Sequence, residues 1–245
     1  MSRQTGNQVL TSSSFLTMIR HMQYPGGKGK TYQHLINLMP PHDVYIETHL
    51  GGGAVLRNKK PACRSIGIDL DERVIDAWKR HPQVACELVY GRAENFLAGF
   101  EFKGQELIYA DPPYLPSTRR REYVYRCDYT QADHEILLSS LCALPCNVMI
   151  SGYASELYDE FLFGWNKTSF NAMSHTGVRE ETVWFNFEAP TQLHDTRYIG
   201  NSFRHRQAIK RRFHRWKAKF DGMEPVERHA LIDWLYETYP RGEIT

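Results

Sequence analysis

Four consecutive residues, Asp111-Pro112-Pro113-Tyr114, carry the clearest chemical signal in the sequence. They follow the apolar run 107–110, so we expect them to leave the end of a buried strand. Prolines lack a backbone N–H and fix φ, which predicts a rigid, extended loop. Such a loop presents Asp111 and the Pro112 carbonyl to an exocyclic amine, and the Tyr114 ring to a flat heterocycle. Enzymes that act on an extruded base need these contacts. An ordinary turn after a strand is the alternative. The rest of the sequence decides between these two interpretations.

A glycine-rich stretch follows the predicted first strand, residues 44–47. A strand, a glycine turn and a helix begin a Rossmann-like unit, in which the backbone comes close to a ligand. Gly51 and Gly53 fit the dinucleotide pattern Gly-x-Gly-x-x-Gly, but Leu56 occupies the position of its third glycine. Asp69 ends the next predicted strand, where a carboxylate can bind both hydroxyls of a ribose. A strand-end aspartate without a ligand is the alternative.

Residues 24–28, Tyr-Pro-Gly-Gly-Lys, precede a helix predicted from about residue 31 to residue 39. Glycines and a lysine at a helix start make an anion site, because free backbone N–H groups and an ammonium group meet there. Gly29-Lys30-Thr31 fits the tail of a nucleotide-binding P-loop, but Tyr24 stands where that motif requires glycine. The pattern therefore favours a carboxylate over a triphosphate, with a solvated lysine as the alternative.

Two further stretches suggest ligand contacts. Residues 91–97 predict one wall of an adenine site, with Glu94 interpreted as a surface charge. After Tyr114 the loop is basic and continues into aromatic residues that predict a small hairpin over 123–129. Arginines among aromatic residues beside a base pocket favour a nucleic-acid backbone over a solvated charge run. The arginines concerned are Arg119, Arg120 and Arg121.

The positive charge of the chain is concentrated in one segment. Residues 196–220 contain nine Lys/Arg and no Asp/Glu, although the whole chain has a net charge of only +2. A helix predicted from Ser202 carries these basic side chains on nearly all sides, and a last helix is predicted from Pro225. A basic face of this kind suits DNA phosphates, and packing on an acidic catalytic domain is the alternative. We predict DNA contacts by Arg204, Arg206, Lys210 and Arg211.

Several function classes are disfavoured. The five cysteines contain no Cys-x-x-Cys pair, and Cys142 and Cys146 have no further ligands nearby, so we expect no metal site. Ser151 lacks the Gly-x-Ser-x-Gly spacing of a serine hydrolase. His134 falls in the first turn of a helix capped by Thr130, which favours a structural role over a catalytic one. No apolar run in the sequence approaches the length of a membrane span.

Composition divides the chain into three parts. Residues 1–21 are rich in Ser, Thr and Gln and lack the apolar core of a secretory signal, which predicts a disordered lead, with Met22 as an alternative start. Residues 22–190 form the predicted catalytic domain, and residues 191–245 a basic helical C-terminal extension. The odd number of cysteines indicates reduced thiols. We therefore expect a cytoplasmic protein, and we expect it to be a monomer.

Taken in order, five features of the sequence resemble the Dam-like DNA N6-adenine methyltransferases: residues 24–28, the Gly51–Gly53 turn, Asp69, the stretch 111–114 and residues 179–186. The resemblance covers roughly residues 22–188. Asp-Pro-Pro-Tyr behind Tyr-x-Gly-Gly-Lys is a specific pair, whereas either motif alone is not. The resemblance implies an α/β, Rossmann-like methyltransferase fold that uses S-adenosylmethionine, with a mostly parallel seven-strand sheet.

The resemblance also implies roles for these residues. Tyr24 and Lys28 would lie against the methionine end of S-adenosylmethionine, and Asp69 would bind its ribose. Asp111 and the Pro112 carbonyl would hold the target amine while the ring of Tyr114 stacks on adenine. The implied reaction is site-specific methyl transfer to N6 of adenine in double-stranded DNA after base flipping. The remaining cofactor-binding residues would be Glu47, Gly51 and Gly53, with Asp111 also near the cofactor.

Two departures from the family pattern limit what it implies. Thr48-His49 stand where family members often have Pro-Phe. The space between Asp69 and Asp111 is too short for a target-recognition domain, so sequence reading falls to residues 115–130, to the basic tail or to both. An RNA N6-adenine methyltransferase, a DNA cytosine-N4 methyltransferase and an inactive nucleic-acid-binding module stay open as alternatives. The recognition sequence also stays open. So does the biological role of the protein, which is host regulation, restriction–modification or phage defence.

Overall fold

A single sheet of seven strands organises the protein. The structure, a computed structural model, describes residues 31–80, 84–119, 126–174 and 177–239. The strands lie in the order β3-β2-β1-β4-β5-β7-β6, in which β7 alone runs antiparallel to its two neighbours. Their bounds are β1 Val44–Glu47, β2 Arg64–Asp69, β3 Glu87–Tyr90, β4 Glu106–Ala110, β5 Asn147–Gly152, β6 Asn166–Ser174 and β7 Gly177–Phe185. This confirms the mostly parallel seven-strand sheet that the resemblance implied.

Helices alternate with the strands along the chain and cover both faces of the sheet. They are α1 Tyr32–Ile36, α2 Ala54–Asn58, α3 Glu72–Arg80, α4 Ala93–Ala98, α5 Gln131–Cys142, α6 Glu156–Phe161, α7 Phe203–Asp221 and α8 Pro225–Thr238, with short 3₁₀ turns at Pro116–Thr118 and Thr196–Tyr198. The capping signal at Thr130 is confirmed, because its side chain accepts from the N–H of Asp133 and the Asp133 carboxylate accepts in return. No helix among the described residues combines the length and apolar character that crossing a bilayer requires.

The period-2 alternation of strand side chains produces two cores. Tyr45, Leu107 and Tyr109 pack with α1, α2 and α3 on one face of the sheet. Ile46 and Ile108, one residue further along each strand, pack with α4, α5 and α6 on the other face. Continuous apolar runs are therefore required in the central strands, because both of their faces are buried.

The carboxyl ends of the parallel strands meet at one edge of the sheet, here called the carboxyl edge. Chain order reverses between β1 and β4, which lie side by side at the centre. In open α/β sheets this switch point is where ligands bind. Glu47 ends β1 there, and Asp111 follows directly after β4. The hairpin of β6 and β7 projects beyond this edge, since Thr182 pairs with Gly152 at the end of β5 and residues 177–181 continue past it.

The chain after Pro190 first returns to the sheet domain. The Lys60 N–H donates to the Asp195 carboxylate at 2.8 Å, and Arg197 donates to the carbonyl of Asn58 at 2.7 Å. The predicted basic helix then begins after Ser202, whose side chain caps it, and the last helix begins at Pro225. Along α7 only Ile209 is buried. The alternative that this helix packs against the catalytic domain is therefore wrong, because most of its surface is exposed to solvent.

The packing of the glycine turn after β1 leads to a prediction about the stability of the protein. Gly53 has φ of +58°, and a Cβ added there would lie 2.2 Å from Cζ2 of Trp78. We expect Gly53→Ala to lower the free energy of unfolding by about 2–4 kcal/mol, since it adds backbone strain to overpacking. Gly52→Ala is the matched control, because a Cβ there meets nothing within 4 Å. Urea denaturation measures both, and equal stability of the two variants would contradict this packing.

Candidate active site

Asp111 is held in place by a chain of buried hydroxyl groups. The Ser151 Oγ, on the neighbouring strand β5, donates to Asp111 Oδ1 at 3.0 Å. The Tyr109 hydroxyl lies 2.9 Å from the same Ser151 oxygen. Because serine has one hydroxyl proton and uses it on the carboxylate, Tyr109 is the donor in the second bond. Both residues are fully buried, so the carboxylate has a fixed orientation at the carboxyl edge.

The loop that carries Asp111 and Tyr114 is braced by Arg119. Its guanidinium forms a bidentate ion pair with Asp128, with N–O distances of 2.5 and 2.7 Å, and its Nε donates to the carbonyl of Tyr114. The Arg119 side chain is only 4% exposed. A phosphate contact would break this pair, which is why we assign Arg119 to the loop and not to the predicted DNA contact. Arg120 and Arg121 lie outside the described residues.

An aromatic stack lies over the same loop. The rings of Tyr114 and Tyr153 are stacked, with centroids 4.1 Å apart and an interplanar angle of 14°. The guanidinium carbon of Arg179, on β7, lies over the Tyr153 ring at 5.1 Å from its centroid. Arg179 also donates to the carbonyl of Thr118 at 3.4 Å, which ties the projecting hairpin to the loop. The Tyr114 ring is therefore held in a near-parallel stack with the ring of Tyr153.

Glu47 is a buried carboxyl group at the end of β1. Its Oε2 accepts from the Tyr45 hydroxyl at 2.9 Å and from the Leu56 N–H at 3.0 Å. Burial raises the pKa of Glu47 to about 8, and the nearby Asp111 carboxylate adds to that rise. Lys59, which lies over the Tyr45 ring, has its pKa lowered to about 8 by burial. The switch point thus holds two carboxyl groups, of which Glu47 favours the protonated form.

The glycine turn is tied to Asp69 at the end of β2. Asp69 accepts from the backbone N–H of Gly51 and from that of Asp71, each at 2.8 Å. Trp78 donates its indole N–H to the carbonyl of Gly51 at 3.0 Å. Gly51 and Gly53 both have positive φ, which explains why glycine is needed. The Leu70 N–H adds a third backbone hydrogen bond to the Asp69 carboxylate, and the predicted ribose contact stays a prediction.

The surroundings of this turn fit a polar, flat ligand. A Cβ built on Gly52 or on Gly91 would meet nothing within 4 Å, which leaves open space along the turn and beyond β3. Tyr129 contacts His49 edge to face and Glu94 through its hydroxyl at 3.4 Å. His49 Nε2 and Glu94 Oε2 are buried without a hydrogen-bond partner among the described residues.

The surface position predicted for Glu94 is wrong. The residue is only 7% exposed, because Tyr129 covers it and Arg92 lies beside it, with Nε 3.5 Å from Oε2. The Thr48-His49 pair is also ordered by local bonds, since Thr48 Oγ1 lies 2.8 Å from His49 Nδ1. Burial lowers the pKa of His49 to about 3, so its ring is neutral near pH 7. Glu94 and His49 both contact Tyr129.

The surroundings of His134 are those of a structural residue. His134 is fully buried and its Nδ1 lies 2.9 Å from the Tyr158 hydroxyl, and burial lowers its pKa to about 4. This agrees with the structural role predicted for it in the first turn of α5. Across residues 31–80, 84–119, 126–174 and 177–239, no group of three or more His, Cys, Asp or Glu side chains could hold a metal ion.

The structure brings together Asp111, Pro112, Tyr114, Glu47 and the glycine turn with Asp69, as the sequence predicted. Tyr24 and Lys28 lie outside the described residues, so their place at the cofactor stays a prediction. Sequence reasoning missed the roles of Ser151, Tyr109 and Tyr153, and it included Arg179 only within the stretch 179–186 of the family resemblance. The first two carried a usable signal, because side chains two apart on adjacent strands share a face and Ser151 is level with Asp111.

The basic helix α7 starts close to the carboxyl edge. His34 of α1 stacks on Phe170 of the projecting hairpin, with centroids 4.7 Å apart. The pKa of His34 is lowered by burial and by the positive charge of Arg206 in the first turn of α7. Arg206 itself donates to the carbonyl of Gly200 at 3.2 Å, so part of its donor capacity serves the helix start. The other three predicted DNA contacts, Arg204, Lys210 and Arg211, are exposed.

Comparison with known proteins adds little to this geometry. No protein-family model matches the sequence, and the search of curated proteins found no match either. Among solved structures, the chain is similar to an O-methyltransferase of Streptomyces achromogenes in complex with SAM, at 13% identity over 73% of this chain and 92% of that one, with a TM-score of 0.48. It is also similar to an rRNA methylase of Streptococcus thermophilus, at 12% identity over 63% and 93%, with a TM-score of 0.43. These values are too low to support an argument about function.

The raised pKa of Glu47 predicts how stability depends on pH. The folded protein keeps a proton that the unfolded chain releases above about pH 4.5, so the free energy of unfolding falls as pH rises toward about 8. The lowered pKa values of His42, His49 and His134 change the free energy of unfolding only below pH 6.5. The lowered pKa of Lys59 changes it only above about pH 8. Between these limits we expect a slope of up to about 1.4 kcal/mol per pH unit.

Glu47→Gln tests this expectation, because glutamine keeps the shape and an acceptor oxygen but cannot ionise. Urea denaturation between pH 6.5 and 8 should show falling stability in the wild type and a flat profile in the variant. A wild-type profile that is level or rising across this window would contradict the assignment.

Proposed function

We propose that this protein transfers a methyl group from S-adenosylmethionine to N6 of adenine in DNA, after the base has been flipped out of the helix. The observation that carries the proposal is the Asp111 carboxylate, fixed by Ser151 at the sheet's switch point beside a glycine turn. Nothing in this arrangement supplies a nucleophilic side chain. It supplies hydrogen-bond acceptors and a stacking ring, which suits a reaction between two bound molecules.

The cofactor would lie along the glycine turn. S-adenosylmethionine, when bound, supplies a methyl group on a positively charged sulfur that an amine can attack. The open space at Gly52 and Gly91 leaves room for it, and Asp69 would accept from the ribose hydroxyls. The Nε2 of His49, which has no hydrogen-bond partner among the described residues, would meet a polar group of its adenine. Tyr24 and Lys28 would bind its methionine end, by the resemblance to the Dam-like enzymes.

The loop after β4 would position the acceptor. An adenine amino group is a poor nucleophile because its lone pair is delocalised into the ring. Hydrogen bonds from its N–H groups to Asp111 and to the Pro112 carbonyl would favour a more tetrahedral nitrogen and direct the lone pair outward. Stacking on Tyr114 would hold the ring plane in place. Placement and electrostatics then supply most of the acceleration, and the methylated nitrogen releases one proton to solvent.

The DNA itself would lie across the carboxyl edge and along α7. This helix presents exposed basic residues and begins beside the projecting hairpin, next to the predicted base pocket. Aromatic side chains accompany the charge: Trp216 is 57% exposed and Arg212 lies over its ring. Lysine and arginine near phosphates bind DNA by releasing counterions. We assign the backbone contacts to Arg204, Lys210 and Arg211, with a smaller contribution from Arg206.

Asp111→Ala tests the role of the carboxylate. We expect the rate of methyl transfer from labelled S-adenosylmethionine to unmethylated DNA to fall about 100-fold or more, since the variant loses the acceptor that orients the amine. Asp43→Ala is the matched control, because Asp43 is exposed and precedes β1 at the opposite edge of the sheet. Activity of Asp111→Ala near that of the wild type would refute the assigned role.

Ser151→Ala tests how the carboxylate is positioned. Loss of a hydrogen bond to a charged group costs about 1.5–3 kcal/mol, so kcat should fall roughly 10- to 100-fold with little change in the Kd of the cofactor. Ser139→Ala, on the exposed side of α5, should leave kcat unchanged. A Ser151→Ala enzyme with normal kcat would show that Asp111 needs no such support.

Charge reversal on α7 tests the DNA surface. We expect Lys210→Glu combined with Arg211→Glu to weaken duplex binding and to lower the slope of log Kd against log salt by about 2, because two phosphate contacts are lost. Lys79→Glu combined with Lys103→Glu makes the same change in charge near the opposite edge of the sheet, and should leave the slope nearly unchanged. Fluorescence anisotropy with duplex DNA measures both, and equal slopes would exclude α7 from the interface.

A further inference from the structure

The two stacked tyrosines at the carboxyl edge belong to neither core. Tyr114 and Tyr153 are half-buried, and both are absent from the two buried clusters that pack against the sheet. They follow neighbouring parallel strands, β4 and β5, at the same edge as Asp111. Aromatic pairs in protein cores have no need of near-parallel faces, and offset or edge-to-face pairs are equally favourable. Here the faces are within 14° of parallel.

The two rings differ in how firmly they are held. The Tyr114 backbone is fixed, because Arg119 donates to its carbonyl and is itself paired with Asp128. Tyr153 lies in a three-residue connection between β5, which ends at Gly152, and α6, which begins at Glu156. The guanidinium of Arg179 lies over the Tyr153 ring. A change in the spacing of the stack would therefore move Tyr153 and Arg179, and leave Tyr114 and Asp111 in place.

We propose that Tyr153 is the second half of a base clamp, in which the flipped base inserts between the rings of Tyr114 and Tyr153. This inference rests on the proposed function insofar as the methyl acceptor is a nucleobase. The rings are 4.1 Å apart, and inserting a base requires about 7 Å, twice the stacking distance of bases in DNA. Tyr153 moves outward by the difference between these two spacings. Arg179 moves with it, because its guanidinium lies over the Tyr153 ring.

The clamp would hold the base by both of its faces. The contact between the tyrosines is exchanged for two base–tyrosine contacts, so the cost of opening the stack is offset on both faces. Stacking of one base on an aromatic side chain is worth about 1–3 kcal/mol. Asp111 then selects bases with an exocyclic amine, while the two rings accept any flat base. Affinity comes from the rings and selectivity from the carboxylate.

The test compares Tyr153→Ala with Tyr153→Phe and with Phe163→Ala, a control whose ring is 91% exposed after α6. The probe is a single-stranded oligonucleotide that carries one 2-aminopurine between randomised flanks, added with sinefungin as a stable stand-in for the cofactor. We expect the wild type and Tyr153→Phe to quench 2-aminopurine fluorescence with similar Kd. Tyr153→Ala should raise Kd about 5- to 100-fold and weaken the quenching, since one stacking face is lost.

Steady-state methylation of unmethylated DNA gives the second readout. We expect Tyr153→Ala to raise the KM for DNA more than it lowers kcat, and Tyr153→Phe to behave as wild type. Tighter binding by Tyr153→Ala would show that Tyr153 blocks the base site, and unchanged binding would show that it takes no part, so either result overturns the clamp. If the wild type methylates no DNA base, the proposed function fails, and the 2-aminopurine measurement still decides the clamp independently.

Discussion

The hydrogen bond from Ser151 to Asp111 is the interaction on which the site depends. A carboxylate on a strand-end loop has several rotamers, and only a fixed one can direct the lone pair of an amine. Here the orientation is set from the next strand by a serine that is itself held by the Tyr109 hydroxyl. All three residues lie on one face of the sheet, so the parallel register of β4 and β5 is what brings them into contact. The precision of the site thus derives from the most rigid part of the fold.

The carboxyl edge also brings two acidic side chains, Glu47 and Asp111, close together. The Asp111 carboxylate lies close enough to the buried carboxyl group of Glu47 to add to the rise in the pKa of Glu47. Two neighbouring buried charges of the same sign are costly, and a proton retained on one of them removes most of that cost. Glu47 is bonded to the N–H of Leu56 in the helix that follows the glycine turn, and Asp111 is bonded to Ser151.

Much of this could be predicted from the sequence because it depends on local rules. Apolar runs gave the strands, and Thr130, Ser202 and Pro225 marked helix starts at the residues where they occur. The strand-end positions of Glu47, Asp69 and Asp111 followed from the same runs. Contacts between distant segments could not be predicted. Arg119 sits in a basic loop and looks like a phosphate ligand, yet Asp128 neutralises it. Glu94 looks exposed at a helix start, yet Tyr129 covers it.

The central claim is that the Asp111 corner presents the amino group of a flipped adenine to a methyl donor. Its most direct test is to incubate the protein with DNA and S-adenosylmethionine carrying a labelled methyl group, to digest the DNA, and to identify the labelled nucleoside by mass spectrometry. The account predicts label in N6-methyldeoxyadenosine. Label in N4-methyldeoxycytidine, label found only when RNA replaces DNA, or no labelled nucleoside from either would contradict it.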